Sequence, residues 1–538
     1  MAALGAADGR EVFPRWAAIR DDAGATNVVH ADQHLPPAKY LGDGAVRLEA
    51  IRPPKPQTMV NWDILTPCDL SDAAGIELDL RCPEEHEFAA TKALLVSGKG
   101  VYVIPFSIYP SSGWRRIRLL KANASASGKV AGWNRISAVR IYFNYSVPGT
   151  TTLDIANPGV LRGDPAELGK EAEEEGKRLM AAYREKMASR VASMPGRSGE
   201  RRMICVHPQL MKPDIETVIA RIARSGFTDV IALVSYAYTA YYPSKVIPTV
   251  AAENASPLVN DKTLSTLLDS CKRHGMKLHA WHIFFSCGKR LTKEQQTFLK
   301  SSGRLAKTHS GTYGKGLNLC PSHPENRRME IETACELADM GVDGVLFDYI
   351  RYISPSYCFC EGCRARFEAS VGSRVVNWPA DVRGDGRLAE AWLDFRRSNI
   401  TAIVRGIAER VRAKHPGMPI SLGARSGVKS AREKDGQDWK LWCREGWIDI
   451  LCPMDYTTSA ARLREMIEAQ RTDIGKAEFV PILGLSSQSI PNDGLDFWRM
   501  ARQIETVRDM GVKGFNIFSW GERGEIVLDV LDKGPLRK

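Results

Sequence analysis

Two groups of residues in this 538-residue chain have types and spacings that could do chemistry. The first is a set of carboxylates flanked by aromatic and cationic side chains: Phe347-Asp348-Tyr349-Ile350-Arg351-Tyr352, Pro453-Met454-Asp455-Tyr456 and Ser519-Trp520-Gly521-Glu522. Hydrolysis of a glycosidic bond needs two carboxyl groups, one protonated to donate to the leaving oxygen and one ionised. Arg351 beside Asp348 would hold a carboxylate ionised, and burial of a second acid would raise its pKa. Asp348, Asp455 and Glu522 are therefore the expected catalytic acids. Trp281, Tyr349, Tyr352, Tyr456 and Trp520 offer flat faces for the apolar CH faces of sugar rings. His207, His282, Asn318, Arg351 and Arg425 complete the expected substrate contacts. A structural ion pair or helix N-cap is the plainer reading of any one of these acids, but three at strand ends of one sheet weigh against it. His207 and His282 read as substrate contacts or satisfied polar groups rather than general bases.

The second group is Cys358-Phe359-Cys360-Glu361-Gly362-Cys363. C-x-C-x-x-C spacing brings three thiolates close enough for one Zn²⁺, which takes four ligands with each sulfur at about 2.3 Å. The fourth must come from elsewhere. Cys320, just ahead of the helix leading into the fourth strand, and Cys287, after the third strand, are the two candidates. A closed four-sulfur site is structural, because it leaves no position for water. A zinc site in which the cluster itself catalyses hydrolysis is a third functional possibility, and a set of reduced or disulfide-paired cysteines is the plain alternative to any metal. The 12 cysteines form no evenly spaced disulfide framework. Cys205, Cys335 and Cys452 read as small buried apolar groups.

The elements that must position these residues follow from hydrophobic periodicity. After Arg202, strands alternate with helices: Met203–Val206, Asp229–Val234, Lys277–Phe284, Gly344–Asp348, Pro419–Gly423, Ile448–Pro453, Phe479–Leu485 and Gly514–Phe518. Helical segments such as Ile215–Ser225, Arg327–Met340 and Asn399–Lys414 lie between them, and several end at a glycine. Eight such repeats predict a (β/α)₈ TIM barrel over residues 202–538, whose active site lies at the C-terminal ends of the strands. A doubly wound open sheet is the alternative; no G-x-G-x-x-G follows the first strand. Residues 1–162 read as an N-terminal β-sandwich of short alternating strands, one face on a core and the other in water. Trp62, Trp114 and Trp133 there read as core residues or as sugar-stacking surfaces. Residues 163–201 read as a helical linker, opened by Asp164-Pro165-Ala166-Glu167.

Composition narrows the function class. With 44% hydrophobic and 25% charged residues the chain is globular, and no apolar run is long enough to span a membrane. The net charge of +11 is spread along the chain, which gives no nucleic-acid-binding stripe. G-x-S-x-G, G-x-x-x-x-G-K-[ST] and H-E-x-x-H are all missing. Met1–Trp16 lacks the basic start and apolar core of an export signal. The expected compartment is periplasmic or extracellular if such a segment was removed, and cytoplasmic otherwise. The oligomeric state is left open.

The barrel half resembles the bacterial glycosyl-hydrolase-like family called family-10-like. The matching pieces are Ala280-Trp281, Leu317-Asn318-Leu319-Cys320-Pro321 with Pro324-Glu325-Asn326-Arg327, and the block Gly341-Val342-Asp343-Gly344-Val345-Leu346-Phe347-Asp348-Tyr349-Ile350-Arg351-Tyr352. Phe395-Arg396-Arg397 with Asn399, Trp447-Ile448-Asp449 and Pro453-Met454-Asp455-Tyr456 also match. The resemblance implies a carbohydrate-active barrel with Asp348 as the leading catalytic residue. A second resemblance concerns the metal. Cys320-Pro321-Ser322-His323-Pro324-Glu325-Asn326-Arg327 followed by Cys358, Cys360 and Cys363 is similar to the zinc segment of zinc-containing β-galactosidases, which favours Cys320 over Cys287. Their catalytic pattern does not carry over. This chain has Phe347-Asp348 where they have Asn-Glu, and Leu485-Ser486-Ser487-Gln488 where they have a second Glu. Acids after strands four and six are instead similar to α-galactosidase-type barrels, which implies Asp348 as nucleophile, Asp455 as acid/base and Glu522 in reserve. The expected function is a glycoside hydrolase acting on a poly- or oligosaccharide; the alternative is a carbohydrate-binding barrel without hydrolysis.

Overall fold

In a computed structural model of the chain, the described residues are 11–17, 28–31, 35–42, 44–51, 59–82, 88–106, 108, 111–145, 150–288, 290–314, 316–484 and 494–537. The chain divides into two compact units, residues 1–189 with 488–495, and residues 190–487 with 496–538.

The first unit is a sandwich of antiparallel sheets. Lys39–Gly42, Ala45–Ile51, Thr150–Leu161, Gly75–Cys82 and Ser111–Leu120 form one sheet, with Glu11–Val12 beside Thr150–Leu161. Ser125–Lys129, Lys99–Pro105, Phe88–Ser97, Ile136–Tyr145, Met59–Cys68 and Val29–Ala31 form the other. Alternation sends Val46, Leu48, Ile76, Leu78, Leu80, Leu153 and Ile155 from one sheet against Trp62, Ile64, Leu95, Val139 and Ile141 from the other. The opposite face of Gly75–Cys82 departs from the expectation of a wet face, since Glu77 and Asp79 are buried. Buried acids need partners: Arg116 lies 3.5 Å from Asp79 and Asn157 donates to it at 2.9 Å. Neighbouring Asp154 is gripped by Arg47 and Arg81. Trp62 is a core residue. Trp133 stacks on Tyr102 at 3.8 Å, and Arg81 covers Trp114 at 4.7 Å. The expected linker helix is Pro165–Ser193, with the Asp164 carboxylate accepting from the Ala166 amide.

The second unit is built on a parallel, TIM-barrel-like sheet. Its strands are Arg201–Val206, Asp229–Tyr236, Lys277–Ile283, Gly344–Asp348, Ile420–Ala424 and Ile450–Pro453, called first to sixth here, with Gly514–Phe518 last. Each of the first five pairs in parallel with its successor, the second and third with a register shift between Leu233 and Ser235, and Gly514–Phe518 pairs with the first. The expected seventh strand is two pieces. Glu478–Phe479 pairs with the sixth strand, and Ile482–Gly484 with the last. Between them the Val480 amide donates to Leu451, whereas Pro481, which has no N–H, accepts from Asn516.

Inside the sheet Met203, Cys205, Ile231, Leu233, Trp281, Ile283, Leu346, Ile450, Cys452, Val480 and Ile482 form one apolar cluster. The residues between them face the helices. Helix Ile215–Arg224 shows why these form: Asp214 caps it through the Thr217 amide, and Ile215, Val218, Ile219 and Ile222 make its buried stripe. Cys205 and Cys452 are buried as expected, while Cys335 is only half-buried on its helix. No helix is long and apolar enough to cross a membrane among the described residues.

Candidate active site and metal centre

The fourth strand delivers Asp348. Leu346 faces the interior, so a period of two puts Asp348 on the same face at the mouth. The Tyr349 amide donates to Asp348 Oδ1 at 2.7 Å. Tyr349 itself holds φ at 58°, which turns the chain sharply after the strand. The Arg351 guanidinium then returns over the Tyr349 ring at 4.3 Å. Gly423 on the fifth strand lies alongside, where a Cβ would make ordinary van der Waals contact with Asp348 Oδ1 at 3.7 Å. Burial raises the Asp348 pKa, against the opposing charge of Arg351 and hydrogen bonds from the Tyr349 amide and the Trp281 side chain.

Aromatic rings line the same mouth. His207, following the first strand, packs edge-on to Trp281 at 4.9 Å and to Phe518 at 5.8 Å. Tyr456 tilts against Phe518 at 5.5 Å and is partly exposed. Gly484 is required beneath it, since a Cβ there would lie 2.4 Å from the Tyr456 ring. Burial, with the charge of Arg290, pushes His207 down to about 4, so its imidazole is neutral at pH 7. His207 Nδ1 and Arg351 Nε are buried without a hydrogen-bond partner among the described residues. Phe518 was not among the expected contacts. Its signal was available: it ends the last strand in phase with the interior.

Other expected site residues lie elsewhere. Cys452 and Met454 pack on the interior cluster, so Asp455 falls on the opposite phase, although counting strand ends placed it in the mouth. It is fully buried, and Gln470 of helix Ala460–Gln470 donates to its Oδ1 at 2.7 Å. Its Oδ2 has no partner. Burial raises its pKa to about 7, against the Gln470 hydrogen bond and the charge of Arg462. His282 is out of phase in the same way. Its Nδ1 meets Ser235 at 2.8 Å and its Nε2 meets Glu330 at 2.7 Å. That matches the satisfied polar group of the two readings.

Tyr352 is buried beneath Arg396, 4.4 Å from its ring. It lines a pocket with Asn318, Tyr349 and Arg351. Arg425 is half-exposed and pairs with Asp435 at 3.2 Å. Trp520 is buried, its amide on the Cys205 carbonyl. Glu522 begins helix Glu522–Leu531, but its side chain lies outside the described residues, as do Leu485, Ser486, Ser487 and Gln488.

The cysteines do converge. Sγ atoms of Cys320, Cys358, Cys360 and Cys363 all lie within 4.8 Å of one another, and all four residues are buried and free of disulfides. Cys320 is 3.4 Å from Cys363 and 3.8 Å from Cys360. A tetrahedron with metal–sulfur bonds of 2.3 Å has edges of about 3.8 Å, so the donor set fits a zinc-sized ion. Cys287 is buried apart, its amide on Leu317, and Cys320 takes the fourth place.

Local structure explains the convergence. Cys320 is fixed by its amide on Arg304, ahead of helix Pro324–Asp339. Cys360 caps helix Glu361–Val371, its sulfur accepting from the Cys363 amide at 3.4 Å. Phe359, between two ligands, is anchored on Trp392 at 5.5 Å. Hydrogen bonds from Cys358, Cys360 and Cys363 hold the Cys320 thiol well below the usual range. Spacing alone did not announce the residues around these sulfurs. The Ser322 hydroxyl lies 3.0 Å from Cys363 and 3.3 Å from Cys320, and Arg366 reaches both Ser322 and Cys320.

Comparison with known proteins places this unit. The family model described as glycosyl hydrolase-like 10 matches residues 206–496. An S-layer-related protein of Niallia circulans is 36% identical over 121 residues, which cover 20% of this chain and 7% of that protein. The glycosyl hydrolase DigH of Escherichia coli K12 is 24% identical over 275 residues, covering 44% of this chain and 57% of DigH. The chain thus spans well under two thirds of either relative. The glycoside hydrolase domain of PgaB (BpsB) from Bordetella bronchiseptica superposes with a TM-score of 0.48 at 15% identity, covering 63% of this chain and 99% of that domain.

Proposed function

The chain belongs to the glycosyl hydrolase-like 10 family, and from that premise we propose that it is a glycoside hydrolase of poly- or oligosaccharides with Asp348 as its reacting carboxylate. The observation that carries this is the mouth itself. An acid stands with two polar nitrogens, His207 Nδ1 and Arg351 Nε, that are buried with no hydrogen-bond partner among the described residues and among aromatic rings suited to a sugar. Buried nitrogens left unpaired in the free protein are costly, and substrate hydroxyls would satisfy them.

On this reading the parallel sheet is a complete (β/α)₈ barrel. The two pieces Glu478–Phe479 and Ile482–Gly484 act as one seventh strand that closes it, and residues 1–162 are a jelly-roll-like accessory domain. Asp348 works on the anomeric carbon, with its charge favoured by Arg351 and the Tyr349 amide. Glu522, at the start of the helix after the last strand, is the candidate second carboxyl. Asp455, which the α-galactosidase-type resemblance made the acid/base, is supported better as a positioning residue for Tyr456, because its carboxyl is held by Gln470. The four cysteines would hold one structural Zn²⁺, which fixes the loops after the third and fourth strands.

Digestion of a broad glycan panel, with analysis of released reducing ends, tests the proposal. Products from the wild-type protein and none from Asp348→Asn are expected. One observation favours a second reading, a barrel that binds glycans without cleaving them: among the described residues of the expected catalytic set, only Asp348 faces the mouth. Retention of glycans with no released ends across the panel would establish that reading instead.

A further inference from the structure

Two arginines of this unit have no carboxylate within ion-pair distance among the described residues. Arg396 is 2% exposed, and among the described residues no carboxylate oxygen lies within 4.0 Å of its guanidinium. Its Nη2 donates to the Ser354 carbonyl at 3.2 Å, and its Nε has no partner. A buried cation is tolerated only with compensating charge or hydrogen bonds. The groups whose charge would act on it are, in order, Tyr352, Asp435 and the sulfurs of Cys363 and Cys358.

Arg366 is the second. It too has no carboxylate oxygen within 4.0 Å among the described residues. Its Nε donates to Ser322 Oγ at 3.1 Å, and its Nη2 lies 3.8 Å from Cys320 Sγ. The chain makes room for this guanidinium. A Cβ on Gly362, between two of the cysteines, would come within 2.8 Å of Arg366 Nη2 and 3.0 Å of Nη1. Ser322 completes the arrangement. Its oxygen accepts from Arg366, which leaves its single proton for a sulfur, Cys363 at 3.0 Å being nearer than Cys320 at 3.3 Å.

Four thiolates around a divalent ion carry a net double negative charge. Such a dianion, buried, needs two positive charges and hydrogen-bond donors around it. We propose that Arg366, Arg396 and Ser322 form the outer shell of a dianionic metal–tetrathiolate centre, with the arginines as its counter-charge and the Ser322 hydroxyl as its nearest donor. The proposal rests on the reading of the cysteines as a metal site. It gives Arg366, which has no carboxylate oxygen within 4.0 Å among the described residues, a negative partner. It also ties the centre to the mouth, because Arg396 covers Tyr352, four residues after Asp348.

The test is the rate at which purified full-length protein releases zinc to a chromophoric chelator at pH 7, with zinc content measured first. Arg366→Met, Arg396→Met and Ser322→Ala should each release zinc about 10- to 100-fold faster than wild type. Arg366→Lys should recover part of the loss. Gly362→Ala is the sharpest variant, because it displaces a guanidinium without touching a ligand and adds a better helix former. Faster release there, with unchanged circular dichroism, cannot come from unfolding. Wild-type protein holding about one zinc, with all variants releasing at the wild-type rate, would overturn the outer shell and leave the zinc reading standing. Wild-type protein purified without chelators and free of zinc would overturn both.

Discussion

The loop after the fourth strand carries a different kind of chemistry at each end. At its start Asp348 is buried at the C-terminal end of the strand, near His207 and Arg351 nitrogens that have no hydrogen-bond partner among the described residues. At its far end Cys358 and Cys360 close with Cys320 and Cys363 into a site where every sulfur has polar neighbours. The contrast separates two ways of building function. The cysteines meet because loops and a helix cap bring them together, and no strand phase is involved. The acids depend on phase, and a shift of one residue along a strand moves a carboxyl from the mouth to the helix side. Asp348 ends the fourth strand and Asp455 follows the sixth, yet only Asp348 is in phase with the interior.

The largest expected effect breaks the mouth and spares the cluster. Asp348→Asn should lower kcat/KM by about 10³-fold or more on any substrate found. Its zinc content should stay at wild type. Activity within tenfold of wild type would place the chemistry elsewhere. Next comes the second acid. Glu522→Gln should cost about 10²-fold in kcat/KM, and wild-type turnover in this variant would remove Glu522 from the pair.

The third prediction breaks the cluster. Cys320→Ser should lose the metal and lower the melting temperature of the barrel by about 10 °C, whereas Cys287→Ser should leave zinc content unchanged. Elemental analysis and calorimetry on the two variants read this directly. Equal loss in both would mean that Cys287 shares the site.

What could be read from the amino-acid order follows the same division. Strand–helix alternation was legible because each strand buries a run of apolar residues and many helices end at a left-handed glycine, such as Gly226, Gly275 and Gly341. Cys320 was legible because C-P-x-x-P places it just before a helix. The phases of Asp455 and His282 were not, because strand ends are uncertain by a residue or two and parity is lost with them. The buried Glu77 and Asp79 were hidden for another reason: partners such as Arg116 and Asn157 are distant in sequence. Arg396 stood in a recognised block without a role, since only the fold brings it onto the Tyr352 ring and the Ser354 carbonyl. Arg366, by contrast, lies one helical turn from Gly362 and could have been found from helical spacing.

The smallest effect tests the phase argument at its weakest point, Asp455. Its pKa in the folded protein is raised to about 7 by burial, whereas an unfolded Asp titrates near about 3.9. Between these values the folded state holds a proton that the unfolded state has released. Stability from this group is therefore fully present below about pH 4, falls as pH rises, and is gone above about pH 7. Three pKa units set an upper bound of about 4 kcal/mol, and local relaxation would reduce the measured slope to about 2 kcal/mol. Asp455→Asn keeps a neutral side chain at every pH, so its stability relative to wild type should grow by that amount between pH 4 and 8 in denaturant titrations. If Asp455 only positions Tyr456, the same variant should retain activity within about tenfold and keep the wild-type pH–rate profile. Parallel stability curves, together with loss of the alkaline limb of that profile, would instead mean that Asp455 reaches the substrate as an acid. The sixth strand would then have to present its carboxyl to the mouth as the fourth does.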